Sequence, residues 1–220
     1  RLDALPAELP VDAAINLAGA PIADARWTAS RRALLWESRV DLTRHLVQWM
    51  GWRPSPPRTL LSASATGWYG DRGDDRLDEG SPAAATDFGA RLCMAWENEA
   101  ARARQWGTRV AVLRIAPVLT LEGGMLPRLL RPFRLGLGGR LGQGSQWMPW
   151  IHVDDLVALA DFVLRRAACN GVYNACAPES VRNRDFTLAL ARALHRPARL
   201  AVPAWALRLA LGEMSVLMLG

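Results

Sequence analysis

Short apolar runs alternate along this chain with segments that carry apolar residues at helical spacing. The runs at 11–18, 58–66 and 108–118 are bounded by glycine, proline or polar residues, as buried strands are. Between them, 29–49 and 81–107 place apolar residues three and four positions apart, which is typical of amphipathic helices. Strands that alternate with helices pair in parallel through right-handed crossovers. The sequence therefore predicts an α/β fold with a doubly wound parallel sheet.

One dipeptide and one glycine suggest where the second helix begins and where the first one ends. Ser81 and Pro82 have the character of an N-cap and a first-turn residue, so they predict the start of the second helix. Gly51 follows the first helix as a stop signal. Together with the flanking strands, the first helix completes a strand-helix-strand unit.

The second half of the chain continues the alternation with shorter elements. We expect strands at 146–153 and 171–177, helices at 155–166 and 183–195, and a strand, turn and helix over 200–220. Asp154 and Asn183 are the predicted N-caps of the two helices.

The stretch 123–144 is glycine-rich and surrounds a short basic helix. Its glycines lack the spacing of a phosphate-binding loop, so a lid or substrate loop is the better interpretation. We therefore divide the chain into 1–122, which carries the first three predicted strands, and 123–220, as a lid or substrate region with a C-terminal subdomain. The strand at 171–177 is free to rejoin the main sheet in this scheme.

All 27 basic residues among the 220 are arginines, because the chain contains no lysine. No Schiff base and no lysine-assisted proton transfer can come from it, and a guanidinium stays protonated. The net charge of +6 would suit nucleic acid, yet the arginines are scattered among acidic residues and form no stripe. We therefore expect no nucleic-acid partner.

Cysteine and histidine are few and lie far apart in the sequence. Cys93, Cys169 and Cys176 form no CxxC pair and the chain has no HExxH pattern, so no metal site and no disulfide framework is expected. A reducing, cytoplasmic location fits this cysteine usage best. The most apolar segment, 204–219, is interrupted by Arg208 and Glu213, which argues against insertion into a membrane.

The stretch Arg58 to Asp71, RTLLSASATGWYGD, is the leading candidate for a ligand site. It predicts a buried strand that ends in a tight loop, and in open α/β sheets ligands bind at the carboxyl ends of the strands. The hydroxyls of Ser62, Ser64 and Thr66 can donate and accept hydrogen bonds there. The alternative is a buried strand rich in serine and alanine that ends in a glycine turn and has no ligand.

Nine segments together resemble the atypical, extended-type short-chain dehydrogenases, in the group labelled NAD-dependent epimerase/dehydratase-like or sugar-nucleotide epimerase, with a C-terminal segment of unknown function. These segments cover nearly the whole chain, and they are NLAGAPI (16–22), RWT (26–28), SRVDLT (38–43), SASATGWYGD (62–71), CMAWE (93–97), LRIAPVL (113–119), GLGGRLGQGSQWMPWIHVDDL (136–156), YNACAP (173–178) and PAWALRLALGEMS (203–215).

The resemblance implies that 1–122 is the remaining part of a Rossmann-type dinucleotide-binding domain, which binds NADP or NAD, with NADP the favoured of the two. Members of the family begin with a strand, a glycine-rich turn and a helix that hold the pyrophosphate, and no residue before Val11 matches them. We therefore expect a fragment that lacks about two strands upstream, at ~30 residues for each strand-helix-strand unit. It would also lack the residues that follow LGEMS. The 16–19 strand would then lie at an abnormal sheet edge.

The resemblance also implies cofactor-binding positions at the ends of the strands. The predicted cofactor-binding residues are Asn16, Ala18, Gly19, Ser62, Ala63, Ala116 and Pro117. Asn16, Ala18 and Gly19 would lie beside the adenosine ribose, and Ala116 and Pro117 near the nicotinamide. Their structural alternatives are a turn after a strand and a strand that ends in proline.

The catalytic residues of the family are only partly present. Ser64 matches the serine that hydrogen-bonds the reacting oxygen, but the Tyr-x-x-x-Lys pair is replaced by Gly89 and Cys93, and the asparagine of the preceding helix by Arg39. Three hypotheses follow. Tyr69 supplies a phenol, with its pKa lowered by Arg39; or different hydride chemistry needs only Ser64 and the cofactor; or the protein binds a dinucleotide as a sensor, without turnover.

The predicted catalytic residues are accordingly Ser64 and Tyr69, and the predicted substrate residues are Arg39, Trp147, Trp150 and His152. Each has a structural alternative: the tryptophans can fill the core, and His152 can hydrogen-bond within a strand. Arg26 and Arg140 are further candidates for binding an anionic substrate. The expected partner is a small molecule, nucleotide-linked or anionic, and the expected state is a monomer or a homodimer.

Overall fold

The computed structural model describes residues 5–6, 8–84 and 87–219. Its strands are β1 (Ala13–Asn16), β2 (Thr59–Ala65), β3 (Arg109–Ile115), β4 (Val118–Leu119), β5 (Gly139–Leu141), β6 (Trp147–Met148), β7 (Ile151–His152), β8 (Gly171–Ala175), β9 (Val181–Arg182) and β10 (Leu200–Val202). Its α-helices are α1 (Ala29–Trp36), α2 (Leu42–Gly51), α3 (Phe88–Ala101), α4 (Met125–Arg134), α5 (Val153–Arg165), α6 (Asn183–Ala193), α7 (Ala204–Leu211) and α8 (Val216–Leu219).

The central sheet has four parallel strands in the order β1-β2-β3-β8. Helices cover both of its faces. Leu60 and Val110 pack with α2 and α3 on one face, and Leu61 and Leu113 pack with Val163 of α5 on the other. This is the doubly wound parallel sheet that the alternation of strands and helices predicts, and the prediction is confirmed.

β1 lies at the edge of this sheet, as expected for the 16–19 strand. The side chains of Ile15 and Leu17 are more than half exposed there. At the opposite edge, β8 continues the sheet beside β3, so the strand at 171–177 does rejoin the main sheet.

The first helix is interrupted by a π-helical turn. α1 begins after Thr28, whose hydroxyl caps it by accepting a hydrogen bond from the Arg31 N–H. The π-helical turn Glu37–Asp41 then joins α1 to α2 without a break. π-helical turns inside α-helices occur frequently at functional sites, and this one carries Arg39.

The second helix begins later than the sequence suggests. α3 starts at Phe88 and is capped by Asp87, whose carboxylate accepts from the Ala90 N–H, so the prediction of Ser81 as the N-cap is wrong. Ser81 is instead part of a turn, because its hydroxyl bonds the carboxylate and the backbone N–H of Asp78. Residues 85 and 86, which the predicted helix included, lie outside the described residues.

Two further N-caps differ from the prediction. His152, not Asp154, caps α5: its Nδ1 accepts a hydrogen bond from the Asp154 N–H. Asn183 is the first residue of α6 and not its cap, because its side-chain oxygen accepts from the Leu141 N–H of β5 instead. The predicted strand at 146–153 is two short strands, β6 and β7, which are separated by Pro149 and Trp150.

The C-terminal third is built from small sheets around the glycine-rich stretch. β5 pairs in parallel with β10, β4 with β7, and β6 pairs antiparallel with β9. The short basic helix expected inside this stretch is α4. Within the described ranges, no helix combines the length and apolar character that crossing a bilayer requires.

Candidate functional site

A row of polar side chains crosses the sheet near the carboxyl ends of three strands. Ser64 of β2 lies in register with Arg114 of β3, and Arg114 lies in register with Asn174 of β8. Register partners project from the same face of a sheet, so the three side chains lie side by side towards α3. The stretch that the sequence favours as a ligand site therefore ends in a polar row.

Glu97 of α3 joins this row through a buried ion pair. Its carboxylate accepts two hydrogen bonds from Arg114, from Nε at 2.9 Å and from Nη2 at 3.0 Å, which is the bidentate geometry. Ser64 donates its hydroxyl to the same carboxylate at 2.6 Å. Arg114 is 2% and Glu97 is 7% exposed, so both charges are out of water and neutralise one another.

Arg114 also holds the loop that follows β2. Its Nη1 donates to the Tyr69 hydroxyl at 3.0 Å and to the Glu79 backbone carbonyl at 3.3 Å. The guanidinium carbon lies 3.8 Å from the ring centre of Trp68, close enough for a cation–π contact. One buried arginine therefore fixes both ends of this loop against the sheet.

Asn174 and Glu79 complete the same network. The Tyr69 hydroxyl donates to the Asn174 side-chain oxygen at 2.6 Å, and the Glu79 carboxylate accepts from the Asn174 N–H at 2.8 Å. Burial by itself lowers the pKa of Arg114, but its hydrogen bonds to Glu97 and Tyr69 more than compensate, so the pKa is raised. We name Ser64, Tyr69, Glu79, Glu97, Arg114 and Asn174 the Arg114 network.

The two predicted catalytic residues are thus brought together, but through partners that the sequence analysis did not name. The Ser64 and Tyr69 hydroxyls both bond members of the Arg114 network. The guanidinium that contacts the phenol of Tyr69 is that of Arg114, so the structure adds a second arginine to the expected Arg39, whose influence on Tyr69 stays a prediction.

Arg39 lies on the π-helical turn and packs against the chain just beyond β1. A Cβ at Gly19 would lie 2.8 Å from the guanidinium carbon of Arg39, so only glycine permits this approach. The guanidinium lies 5.5 Å from the Trp96 ring centre, and its Nη1 donates to the Ser38 hydroxyl at 3.3 Å. Burial lowers the pKa of Arg39. The structure therefore brings two predicted site residues, Gly19 and Arg39, into contact.

Cys93 stands on α3 at the position that the resemblance assigns to a lysine. Burial, reinforced by the negative charge of Glu97, raises the pKa of its thiol to about 11. Its Sγ lies 3.8 Å from the Ala65 carbonyl oxygen. A thiol with this pKa stays protonated at neutral pH and cannot act there as a base.

This pKa gives a testable pH dependence. The thiol ionises near 9.0 in the unfolded chain and near about 11 in the fold, so the stability that the buried thiol contributes is present below pH 9 and is lost between pH 9 and 11. A Cys93→Ala variant has no thiol and therefore lacks this pH-dependent contribution to stability. Urea unfolding of both proteins at several pH values should show the wild type losing stability relative to the variant, by up to about 1.4 kcal/mol per pKa unit. Parallel pH profiles would contradict the raised pKa.

The other predicted cofactor residues divide into exposed and buried groups. Ala18 is half-buried, while Gly19 and Pro117 are exposed at the ends of β1 and β3. Ser62, Ala63 and Ala116 are buried.

Asn16 is also buried, and its side chain is occupied. It donates to the Thr43 hydroxyl at 2.7 Å and accepts from the Ala18 N–H at 3.3 Å. In this structure it therefore shapes the turn that presents Ala18 and Gly19.

The three remaining substrate candidates lie in the second half of the chain, and two of them, Trp147 and His152, make described side-chain contacts. Trp147 donates its indole N–H to Asp74 at 3.0 Å and stacks under Arg182 at 3.8 Å. Trp150 is half-buried. His152 caps α5 and is exposed. Among the residues that the structure describes, no three histidine, cysteine or acidic side chains gather as a metal site would need.

Sequence reasoning missed Arg114, Glu97, Asn174 and Glu79. A signal for the first was present: Arg114 interrupts the apolar strand VAVLRIAP, and a buried arginine requires an acidic partner. Glu97 follows Trp96 on the face of α3 that the helical spacing assigns to the core. The two together would have predicted the ion pair.

The fold belongs to the class of Rossmann-type dinucleotide-fold proteins, and two known structures represent that class here. The structure superposes on the human epimerase family protein SDR39U1 (isoform 2), crystallised with NADPH, with a TM-score of 0.90 and 34% identity over 98% of this chain and 72% of the human chain. It also matches a nucleoside-diphosphate sugar epimerase from Corynebacterium glutamicum, with a TM-score of 0.72 and 35% identity over 95% of this chain and 46% of the other.

Sequence comparison identifies the family within that class. An epimerase family protein of Staphylococcus haemolyticus is 37% identical over 209 residues, which are 95% of this chain and 70% of the relative. The model of the NAD dependent epimerase/dehydratase family matches residues 1–176. The chain therefore belongs to the NAD dependent epimerase/dehydratase family, as the resemblance implied.

Proposed function

We propose that this chain is part of an NAD(P)-dependent oxidoreductase or epimerase-like enzyme that acts on a small nucleotide-linked or anionic molecule. The observation that carries the proposal is the TM-score of 0.90 with a human relative whose crystal structure holds NADPH. The second relative, described as a nucleoside-diphosphate sugar epimerase, supports a nucleotide-linked substrate. The NADPH of the human relative favours NADP over NAD as the cofactor.

The residues at the carboxyl edge of the sheet fit a dinucleotide. Ala18, Gly19 and Pro117 present small or exposed surfaces where β1 and β3 end, and parallel sheets bind nucleotides at such edges. The missing Cβ of Gly19 already allows Arg39 to approach the backbone closely. When bound, the nicotinamide ring would accept or donate a hydride.

The chain's own contribution is binding, orientation and proton handling at two hydroxyls. Ser64 would donate a hydrogen bond to the reacting oxygen, and Tyr69 would carry the proton. In the structure both hydroxyls are bonded within the Arg114 network, so each must exchange a protein partner for the substrate. Arg114 positions Tyr69 in either state. Residues 1–122 would hold the cofactor, and residues 123–220 would enclose the substrate.

A second candidate function is a dinucleotide sensor without turnover. It is favoured by the engagement of both hydroxyls and by Gly89 and Cys93 at the positions of the usual tyrosine and lysine. Titration of the full-length protein with NADPH and NADH, followed by a metabolite screen for hydride transfer at the nicotinamide absorbance, separates the two. Turnover of any metabolite supports the enzyme, binding without turnover across the panel supports the sensor, and no binding of either dinucleotide contradicts both.

Ser64→Ala tests the proposed catalytic residue. If its hydroxyl polarises the reacting oxygen, turnover should fall by about 10²–10⁴-fold. The lost hydrogen bond to Glu97 should also cost about 1.5–3 kcal/mol of unfolding free energy, because the acceptor is a buried charge. Turnover is measured with the substrate found in the screen, and stability by urea unfolding.

Thr108→Ala is the matched control. Thr108 is also buried, and it donates its hydroxyl to the Pro57 carbonyl at 2.7 Å just before β3 begins, at the amino edge of the sheet. The Thr108→Ala variant should be less stable than wild type and should keep the wild-type turnover. If Ser64→Ala also keeps turnover, Ser64 is a structural residue of the Arg114 network and has no catalytic role.

A further inference from the structure

Arg39 is a half-buried cation to which none of the described carboxylates is paired. Its guanidinium has one hydrogen bond within the described residues, to the neutral hydroxyl of Ser38. The charged or titratable groups that act on it are the Cys93 thiol and the guanidinium of Arg31, and neither is an anion at neutral pH. Keeping a positive charge out of water without an anion is unfavourable, and this is why burial lowers the pKa of Arg39.

Arg114 differs from Arg39, so the lack of a paired carboxylate is not a general feature of the arginines packed inside this fold. Arg114 is the more deeply buried of the two and has a bidentate carboxylate in Glu97, a phenol and an aromatic ring as partners. Arg114 therefore has its charge neutralised inside the protein. Arg39 keeps both its charge and most of its five N–H donors for a ligand.

The guanidinium of Arg39 is nevertheless held in place. The Trp96 ring lies 5.5 Å from it and the Gly19 backbone lies against it. Ser38, which accepts from Arg39, also accepts from the Ala20 N–H and so ties the turn after β1 to the same helix. An arginine fixed in this way loses little conformational entropy when it binds a planar or tetrahedral anion.

A second observation places more positive charge near Arg39, because Arg31 acts on it and also lines a shallow depression. This depression of about 530 Å³ lies beside the start of α1 and is lined by Arg26, Arg31, Thr28 and Ser30, with Ala25 and Leu34. Burial is the main cause of the lowered pKa of Arg39, and the positive charge of Arg31 lowers it further; the Nε of Arg31 is itself buried without a described partner. Positive charges grouped in this way attract anionic ligands and raise their association rate.

We propose that Arg39 binds an oxyanion group of the substrate, a carboxylate or a phosphate, and so restricts the substrate class to anionic molecules. The inference rests on the proposed function, because it places the substrate at the carboxyl edge of the sheet. The oxyanion accepts from the free N–H donors of Arg39 and supplies the counter-charge that this cation lacks. Arg39 is then a specificity-determining residue, and Gly19 and Trp96 are the residues that position it.

The experiment measures the affinity of inorganic phosphate and of malonate by calorimetry at low ionic strength. Wild type is compared with Arg39→Met, which keeps an unbranched apolar side chain and removes the guanidinium and its charge, and with Arg39→Lys. We expect Arg39→Met to weaken the binding of at least one of the two anions by tenfold or more. Arg39→Lys should weaken the binding of that anion less. Gly19→Ala should also weaken it, because the new Cβ displaces the guanidinium.

Arg44→Met is the matched control. Arg44 lies five residues further along the same helical segment, but it is already paired with Asp41 and Glu99. Its removal should leave both affinities unchanged. Circular dichroism and the thermal midpoint identify a variant that fails to fold. If Arg39→Met does not fold, the anion affinities of wild type and Arg39→Lys are compared instead. Equal affinities in wild type and the folded Arg39 variants, or no anion binding by the wild type, overturn the proposal.

Competition with NADPH and NADH separates the substrate from the cofactor as the source of the anion. If phosphate or malonate binds wild type together with the dinucleotide, the oxyanion belongs to the substrate, as proposed. If the dinucleotide displaces the anion, Arg39 binds the cofactor and the proposal is wrong. If neither dinucleotide binds but anion binding still requires Arg39, the proposed function is wrong while the anion site is supported.

Discussion

Replacing Glu97 with alanine is expected to cost about 3–5 kcal/mol of unfolding free energy, the range for removing one partner of a buried ion pair. The variant leaves the Arg114 guanidinium buried at 2% exposure without its bidentate carboxylate, and it leaves the Ser64 hydroxyl without its acceptor. A buried charge with no partner keeps the full cost of its removal from water. Urea unfolding of wild type and variant measures the difference.

Glu99→Ala is the control for this prediction. Glu99 lies two residues further along α3 and accepts from Arg44 and Arg102, but both arginines are substantially exposed. Its loss should cost about 1 kcal/mol or less, because exposed ion pairs are screened by water. Replacing Glu97 and Arg114 together with methionine should cost less than the sum of the two single replacements, since the double variant leaves no unpaired charge. Equal costs for Glu97→Ala and Glu99→Ala would contradict the assignment of a buried pair.

The same pair shows what the sequence could and could not predict about the site. Local spacing is enough to predict that Ser64 lies near the end of a buried strand, because the apolar run and the glycine loop are adjacent in the chain. The partners of Ser64 come from α3, β3 and β8, and only the register of the sheet brings them together. Spacing along the chain contains no information on that register.

The errors at helix ends have a similar origin. Ser81-Pro82 satisfies the local rule for a helix start, but the Asp78 turn uses the Ser81 hydroxyl and the Trp68 carbonyl accepts from the Ala84 N–H. His152 caps α5 through a ring nitrogen, which is a less common cap than the aspartate two residues later. In both places a contact that the local pattern does not encode decides the boundary. The alternation of strands and helices was predictable because it depends on local periodicity alone.

Replacing Gly139 with alanine is expected to separate β5 from β10. A Cβ at Gly139 would lie 1.9 Å from the Leu200 carbonyl oxygen and 2.5 Å from its carbon, and these are backbone atoms of the paired strand. A side chain can rotate away from such a clash, but a paired backbone can only move off its partner. The loss should be about 3 kcal/mol or more, at the upper end of what added core volume costs. The thermal midpoint and the rate of limited proteolysis after residue 199 measure it.

Local unfolding of the C-terminal third distinguishes this prediction from a loss of stability throughout the chain. β5 is also tied to α6, because the Leu141 N–H donates to Asn183, so the displaced strand should expose the C-terminal third while the four-stranded sheet keeps its hydrogen-exchange protection. Gly123→Ala is the control, because no atom lies within 4 Å of a Cβ built there, and its effect should stay within about 0.5 kcal/mol. Since 123–220 is proposed to enclose the substrate, Gly139→Ala should weaken substrate binding more than dinucleotide binding. Equal losses of both, or loss of protection in β2 and β3, would show that the two parts of the chain unfold as one unit.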